Sequence, residues 1–139
     1  MHIDHAQPDA NDVGWFVARQ PAIVRHLERR CGTTDAFPVA LEAAFQICQA
    51  LEETLGVPPP MVPGSLLERA DDAADMETIV PGGARGGCAE RQPELVAWVA
   101  DLLANPPIPL RAEELQQVGA CLSAVIYALD ELTTGRPVP

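Results

Sequence analysis

The apolar positions of this chain recur in steps of three and four over two long stretches, and each stretch predicts a helix. The first runs from Phe37 to Leu55, and its spacing keeps the apolar side chains on one helical face. Gly56 and the prolines after it cannot continue a helix, so this helix is placed at about 36–55. The second stretch repeats the same steps and predicts a helix at about 111–133.

Three shorter segments also carry helical signals. Pro21 suits the first turn of an apolar run that ends at Gly32. Ser65 and Glu68 have the spacing of a capping box, and the helix that they begin runs to about position 78. Pro93 suits the first position of a further helix. Because no run of alternating β-branched residues indicates a strand, the predicted fold class is all-α.

The expected architecture is a bundle of two antiparallel helical hairpins joined by an acidic linking helix. A loose N-terminal tail covers 1–11, and a single helical-bundle domain covers 12–139. Within this domain, the first hairpin spans 12–56, the linker with the acidic helix spans 57–90, and the second hairpin spans 91–135.

Two short matches leave an internal duplication of the chain open. Arg-Gln-Pro occurs at 19–21 and again at 91–93. Ala-Leu-Glu-Glu at 50–53 is matched by Ala-Leu-Asp-Glu at 128–131. Each half would then hold a shorter helix that starts near Arg-Gln-Pro and a longer heptad helix.

Small residues on one side of the last helix predict the close approach of another helix. A glycine inside a helix costs about 1 kcal/mol relative to alanine, and packing against Ala43 and Ala44 would offset that cost. The small residues are Gly119, Ala120, Ser123 and Ala124.

The charge balance narrows the classes of function. The chain of 139 residues holds 20 acidic and 9 basic side chains, a formal net charge of −11. Residues 1–32 are neutral, so the whole imbalance lies in 33–139. Nucleic acids and anionic membranes would repel such a chain, and neither is expected as a direct partner. Every basic residue is arginine, and the missing lysine excludes Schiff-base, pyridoxal and P-loop chemistry.

Pairs of neighbouring acids predict a surface that binds a basic protein, because clustered negative charge accelerates the docking of such a partner. The alternative is that this charge serves solubility alone. We expect a non-catalytic binding protein of the immunity or antitoxin type, without a cofactor. A secretion chaperone, a phage-encoded inhibitor of a nucleic-acid enzyme and a self-assembling helical module, for example a homodimer, are further alternatives. The expected contact residues, called the acidic set below, are Glu52, Glu53, Glu68, Asp71, Asp72, Asp75 and Glu77.

Part of the acidic set also allows an enzymatic alternative, magnesium-dependent hydrolysis. Asp71, Asp72 and Asp75 form an Asp-Asp-x-x-Asp motif, whose carboxylates share a helix face and could hold Mg²⁺. The motif resembles the diphosphate-binding motif of isoprenoid synthases, which are far longer and carry a second metal motif. Glu68 and Asp71 resemble half of the metal signature of small all-α nucleotide pyrophosphohydrolases. The other half of that signature, an upstream Glu-x-x-Glu, is missing from this sequence.

The remaining candidate chemistry lies in the cysteines and in one histidine. Cys48 and Cys121 lie within apolar helical runs and are predicted to be buried as small hydrophobic side chains. No two cysteines have the short spacing of a zinc or redox motif. His26 stands among three arginines and is predicted to lie on the surface. No basic segment followed by an apolar one begins the chain, so the cytoplasm is the expected compartment, where an interhelical disulfide is not expected.

Overall fold

The computed structural model describes residues 10–32, 34–76, 79 and 90–138. Over these residues the chain forms six helices and no strand, which confirms the predicted all-α class. The helices are α1 (Ala10–Arg19), α2 (Pro21–Cys31), α3 (Ala36–Leu55), α4 (Gly64–Met76), α5 (Pro93–Ala104) and α6 (Ala112–Thr134).

The two heptad helices end at glycines, as the sequence predicts. Gly56 and Gly135 follow the last residues of α3 and α6 with φ values of 79° and 80°. This left-handed conformation favours glycine because a Cβ would be strained there. The two glycine N–H groups donate to the carbonyl oxygens of Glu52 and Glu131, at 2.8 and 2.9 Å. Both helix ends therefore satisfy one of their unpaired carbonyls.

The two Arg-Gln-Pro motifs form similar helix breaks. Gln20 separates α1 from α2 with φ −127° and ψ 60°, and Gln92 precedes α5 with φ −137° and ψ 68°. A proline occupies the first turn of the following helix in both cases, where its missing N–H removes no helical hydrogen bond. Gln20 is buried, and its side chain bonds to the carbonyl oxygen of Pro60 and to the N–H of Val62.

The last helix, α6, is the centre of the packing. It makes its most extensive contact with α4 and also packs against α2, α3 and α5. Every residue from Val118 to Asp130 is buried, so the helix is enclosed on all sides rather than along the predicted heptad face alone. The acidic helix α4 is therefore part of the core of the bundle, and it lies within the segment that the sequence suggested as a linker.

The close approach to Gly119 comes from a different segment than predicted. A Cβ on Gly119 would overlap the carbonyl oxygen of Ile79 and lie 3.3 Å from Cδ1 of Leu103. The hydroxyl of Ser123 donates to the carbonyl oxygen of Gly119 at 2.7 Å and accepts from the N–H of Ile79 at 3.2 Å. The nearest neighbours of Gly119 are therefore Ile79 and Leu103 of α5, and not the predicted Ala43 and Ala44.

The predicted tail over 1–11 lies almost entirely outside the described residues, although α1 already begins at Ala10. None of the helices in the described part of the chain combines the length and the apolar composition that crossing a membrane would require.

Candidate acidic binding site

The acidic side chains on α4 do not all point the same way: one pairs with a neighbouring helix, and others face solvent. Asp71 is turned towards α2, where the guanidinium of Arg30 donates to its carboxylate at 2.5 Å. Glu68 and Asp72 are exposed. The side chain of Asp75 and the whole of Glu77 lie outside the described residues. Asp71 therefore joins α4 to α2 through an ion pair.

The other two members of the acidic set lie at the end of α3. Glu53 is exposed, and Glu52 is half-buried at the edge of a cavity of about 140 Å³ that Arg19 also lines. α3 makes its main contacts with α1, α2 and α6, whereas α4 packs mainly against α6. Of the described members of the acidic set, Glu53, Glu68 and Asp72 are exposed, and Glu52 and Asp71 are partly buried.

The metal-binding alternative finds no assembled site in the part of the chain that is described. Over those residues, no group of three or more His, Cys, Asp or Glu side chains is placed to hold a metal ion. Asp71 is paired with Arg30, which leaves Asp72 as the described carboxylate of the Asp-Asp-x-x-Asp motif that faces solvent.

Arginine side chains are used mainly to hold the helices together. Among the described residues, five arginines form ion pairs with carboxylates of the same chain, and each pair cancels one positive and one negative charge. The pairs are Arg30–Asp71, Arg69–Glu131, Arg91–Asp130, Arg136–Asp130 and Arg111–Glu114.

Asp130 is the most deeply buried member of these pairs. Its carboxylate accepts hydrogen bonds from Gln92 at 2.8 Å, from Arg136 at 2.6 Å and from Arg91 at 3.5 Å. The guanidinium of Arg91 also stands over the ring of Tyr127, 5.4 Å from its centroid, at a distance typical of a cation–π contact. This cluster joins the start of α5 to the end of α6.

Glu114 caps the start of α6 through hydrogen bonds with Arg111. Its carboxylate accepts the backbone N–H of Arg111 at 3.0 Å and the guanidinium Nε–H at 3.1 Å. These hydrogen bonds to the charged form hold the pKa of Glu114 below its ordinary value. The charge also lies at the positive end of the helix dipole, which stabilises the first turn of α6.

A groove between α3 and α5 is lined by apolar side chains together with carboxylates and amides. It has a volume of about 370 Å³. Two carboxylates, those of Glu42 and Asp101, line it, and none of the described lining residues is basic. Trp98 lies half-buried along the groove. The lining residues, which define the α3–α5 groove, are Val39, Glu42, Ala43, Gln46, Trp98, Asp101, Leu102, Asn105 and Pro107.

Sequence reasoning missed this groove because its two walls are far apart in the chain. On each helix, the lining residues recur at the spacing of one helical side. Val39, Glu42, Ala43 and Gln46 follow helical steps of three, one and three, and Trp98, Asp101 and Leu102 follow steps of three and one. Residues with this spacing share one side of a helix.

The predictions for the buried polar groups were partly confirmed. Cys48 and Cys121 are buried, as expected. The surface position of His26 was wrong: the side chain is 2 % exposed, and neither ring nitrogen has a hydrogen-bond partner in the described structure. Burial lowers the pKa of His26 from its ordinary value, an effect that outweighs the nearby charge of Asp71.

No protein-family model, no curated protein and no solved structure matches this chain. Its function is therefore inferred from the residues of the site alone.

Proposed function

We propose that this chain is an acidic binding protein that takes a basic, amphipathic helix of a protein partner into the α3–α5 groove. The observation that carries the proposal is the composition of the groove, which offers two carboxylates beside an apolar floor and no cation among its described lining residues. Helices that bind in grooves place their apolar face inwards and their charged residues at the rim.

The groove matches such a helix in both respects. Half-buried Leu102 provides apolar surface above the buried side chains of Val39 and Ala43, and half-buried Trp98 adds a large flat side chain of the kind that anchors protein interfaces. Lysine or arginine residues at the edge of the incoming helix would pair with Glu42 and Asp101. Because bound partners exclude water, these pairs would form in a medium of lower dielectric constant than the free surface.

The exposed members of the acidic set have a separate part in this proposal, which is steering. Glu53, Glu68 and Asp72 are exposed, and the chain carries a net charge of −11. A field of this sign raises the rate at which a basic partner arrives, whereas the groove determines how long it stays. The two contributions are therefore separable by mutation.

The biological consequence proposed for this binding is inhibition by occlusion. Proteins with strongly basic surfaces commonly use them to hold anionic substrates such as nucleic acids. A protein that covers such a surface keeps the substrate out, as an immunity protein or antitoxin does. The net charge of −11 and the two carboxylates of the groove support this assignment.

Two double variants that remove the same amount of charge test the proposal. The protein and its variants are immobilised, exposed at low salt to a lysate of the source organism, and eluted at high salt. A basic protein held by the native chain should be lost from E42Q/D101N, which neutralises the groove. E68Q/D72N, which neutralises the exposed side of α4, should capture it more slowly but release it at the rate of the native chain.

Circular dichroism and thermal unfolding establish that both variants are folded. Equal retention by E42Q/D101N and the native chain would exclude the groove as the binding site. Equal losses from both variants would show that total charge, rather than the groove, governs binding.

A further inference from the structure

Two cysteines that are far apart in the sequence meet inside the bundle. The sulfur atoms of Cys31 and Cys121 lie 3.6 Å apart, and the residues are separated by 90 positions. Cys31 is the last residue of α2, and Cys121 lies within α6. Both side chains are buried, at 1 % and 0 % exposure. A disulfide would require the two sulfurs to approach by about 1.5 Å, to the S–S bond length of about 2.05 Å.

We propose that Cys31 and Cys121 form an oxidisable dithiol, which a small hydroperoxide converts into a disulfide between α2 and α6. The inference stands on the placement of the two thiols and does not depend on the proposed partner or on the α3–α5 groove. Nothing in the local sequence around either cysteine indicates this pairing.

The surroundings distinguish the two sulfurs chemically. The two thiols share a hydrogen bond in which either sulfur can be the donor. This bond and the positive charge of Arg30 lower the pKa of Cys31, whereas the bond and burial raise the pKa of Cys121. Because Cys31 ends α2 and Cys121 lies within α6, opening of the helix end exposes Cys31 first, and we assign Cys31 as the nucleophile and Cys121 as the resolving thiol.

The reaction has two steps. The Cys31 thiolate attacks one oxygen of the hydroperoxide, the O–O bond breaks, and Cys31 becomes a sulfenic acid while water or an alcohol leaves. The Cys121 sulfur then attacks the Cys31 sulfur, the S–O bond breaks, and the hydroxyl leaves as water with the proton of Cys121. With hydrogen peroxide, two thiols and one peroxide give one disulfide and two waters.

Access to the pair requires only a local opening. Cys31 ends its helix, and the next residue, Gly32, is exposed. Helix ends open with a much smaller free energy than the whole fold. Fraying of the last turn of α2 would expose Cys31 while Cys121 stayed within the core, so hydrogen peroxide can reach the nucleophile without global unfolding.

Cys48 provides an internal control. It is also buried, but no thiol lies beside it among the described cysteines, and burial raises its pKa to about 12. It should therefore stay reduced when Cys31 and Cys121 are oxidised. Cys88 lies outside the described residues, and the experiment is done in the Cys88→Ala background.

The test is peptide mapping after oxidation of the folded C88A chain with hydrogen peroxide. Remaining thiols are alkylated in denaturant, and the chain is cleaved after arginine. Cys31 and Cys48 fall in peptide 31–69, and Cys121 falls in peptide 112–139. The expected product is these two peptides joined by a disulfide between Cys31 and Cys121, with Cys48 alkylated. Its mass is two hydrogen atoms lower than the summed masses of the two peptides that carry the alkylated Cys48 and free thiols at the other two positions. Oxidation should also raise the melting temperature of the chain, and dithiothreitol should reverse both changes.

Three further variants fix the assignment. The linked product should persist in C48A and disappear in C31A and in C121A. A link that requires Cys48, or three alkylated thiols after peroxide treatment of the folded chain, would overturn the proposal. If either core variant fails to fold, the C48A result and the melting temperature of the oxidised C88A chain still decide the question.

Discussion

At the scale of single residues, the face of a helix determines burial more strongly than the neighbours in sequence. His26 lies between arginines in the chain, yet it shares the inner face of α2 with Ile23 and Leu27, which are fully buried. Residues three and four positions apart lie on one side of a helix. The imidazole is therefore buried without a described hydrogen-bond partner, while Arg25 and Arg29 are exposed.

His26 should make the stability of the fold depend on pH. The folded state holds the pKa of the ring below 6.5 because burial disfavours the charge, although Asp71 opposes this and Arg29 and Arg30 reinforce it. Unfolded chains then bind more protons than folded ones as the pH falls below about 6.5, so the free energy of unfolding decreases over that range. Urea denaturation at pH 7.5 and pH 5.5 measures this loss.

His26→Leu removes the titrating ring and fills a similar space. The variant should lose less stability between the two pH values than the native chain, since its remaining titrating groups are the same. If the free energy of unfolding falls by the same amount in both proteins between pH 7.5 and pH 5.5, the pKa of His26 is not lowered by folding.

Gly119 should tolerate no side chain. A Cβ there would overlap the carbonyl oxygen of Ile79, which is backbone and has little room to move. Gly119→Ala should therefore lower the free energy of unfolding by about 1–3 kcal/mol, the cost of overpacking, despite the better helix propensity of alanine.

Gly14→Ala is the matched control, because Gly14 is also helical and exposed and a Cβ there would meet nothing within 4 Å. It should raise the free energy of unfolding by up to about 1 kcal/mol. Denaturant melts that show both substitutions stabilising the fold would exclude the close approach of Ile79 to α6.

At the scale of elements, a buried charge joins α5 to α6. Asp130→Asn removes the charge that Arg91 and Arg136 pair with, and leaves two guanidinium groups beside a buried amide. We expect a loss of about 3 kcal/mol, near the low end for breaking a buried ion pair, because both arginines keep some contact with solvent. Chemical denaturation measures the change.

Glu131→Gln is the control for this variant. Glu131 is the adjacent residue, and its partner Arg69 is mostly exposed, so the substitution should cost less than about 1 kcal/mol. Similar losses from Asp130→Asn and Glu131→Gln would show that the Asp130 cluster does not hold α5 in place.

Helix positions were predictable from the sequence where local signals start and stop a helix. The helix placed at about 36–55 is Ala36–Leu55 in the structure, and the one placed at about 111–133 is Ala112–Thr134. Heptad spacing fixed their faces, and glycine in the left-handed conformation fixed their ends. These features depend only on residues within one or two turns of each other.

Contacts between distant segments were not predictable in the same way. The acidic residues of α4 favoured its interpretation as a linking helix. Its apolar residues Leu66, Leu67, Ala70 and Ala74 have the spacing of a stripe that faces the core, and they are buried. The α3–α5 groove and the Cys31–Cys121 pair depend on which helices pack together. A single sequence does not contain that information in any local pattern.

At the scale of the whole molecule, charge and packing have different consequences. Arginine pairs hold elements together and leave the acidic residues to set the sign of the surface field. This field acts over a distance that salt shortens to about 10 Å at 0.1 M. The proposed association with a basic helix should therefore slow strongly as salt is added, while dissociation from the α3–α5 groove should change less.

Fluorescence of Trp98 tests the central proposal most directly. The chain has two tryptophans, and Trp15 is 70 % exposed, so Trp15→Phe leaves the groove residue as the only indole. A synthetic amphipathic helix of leucine and lysine is titrated into this variant at low salt. A peptide with glutamate in place of lysine is the control.

The account predicts a saturable change in Trp98 emission with the lysine peptide and none with the glutamate peptide. Adding E42Q/D101N should weaken the binding mainly by faster dissociation, whereas adding E68Q/D72N should leave the dissociation rate unchanged and weaken the binding only as far as association slows. An emission spectrum that does not respond to the lysine peptide, or an affinity that is the same with and without Glu42 and Asp101, would contradict the assignment of the groove.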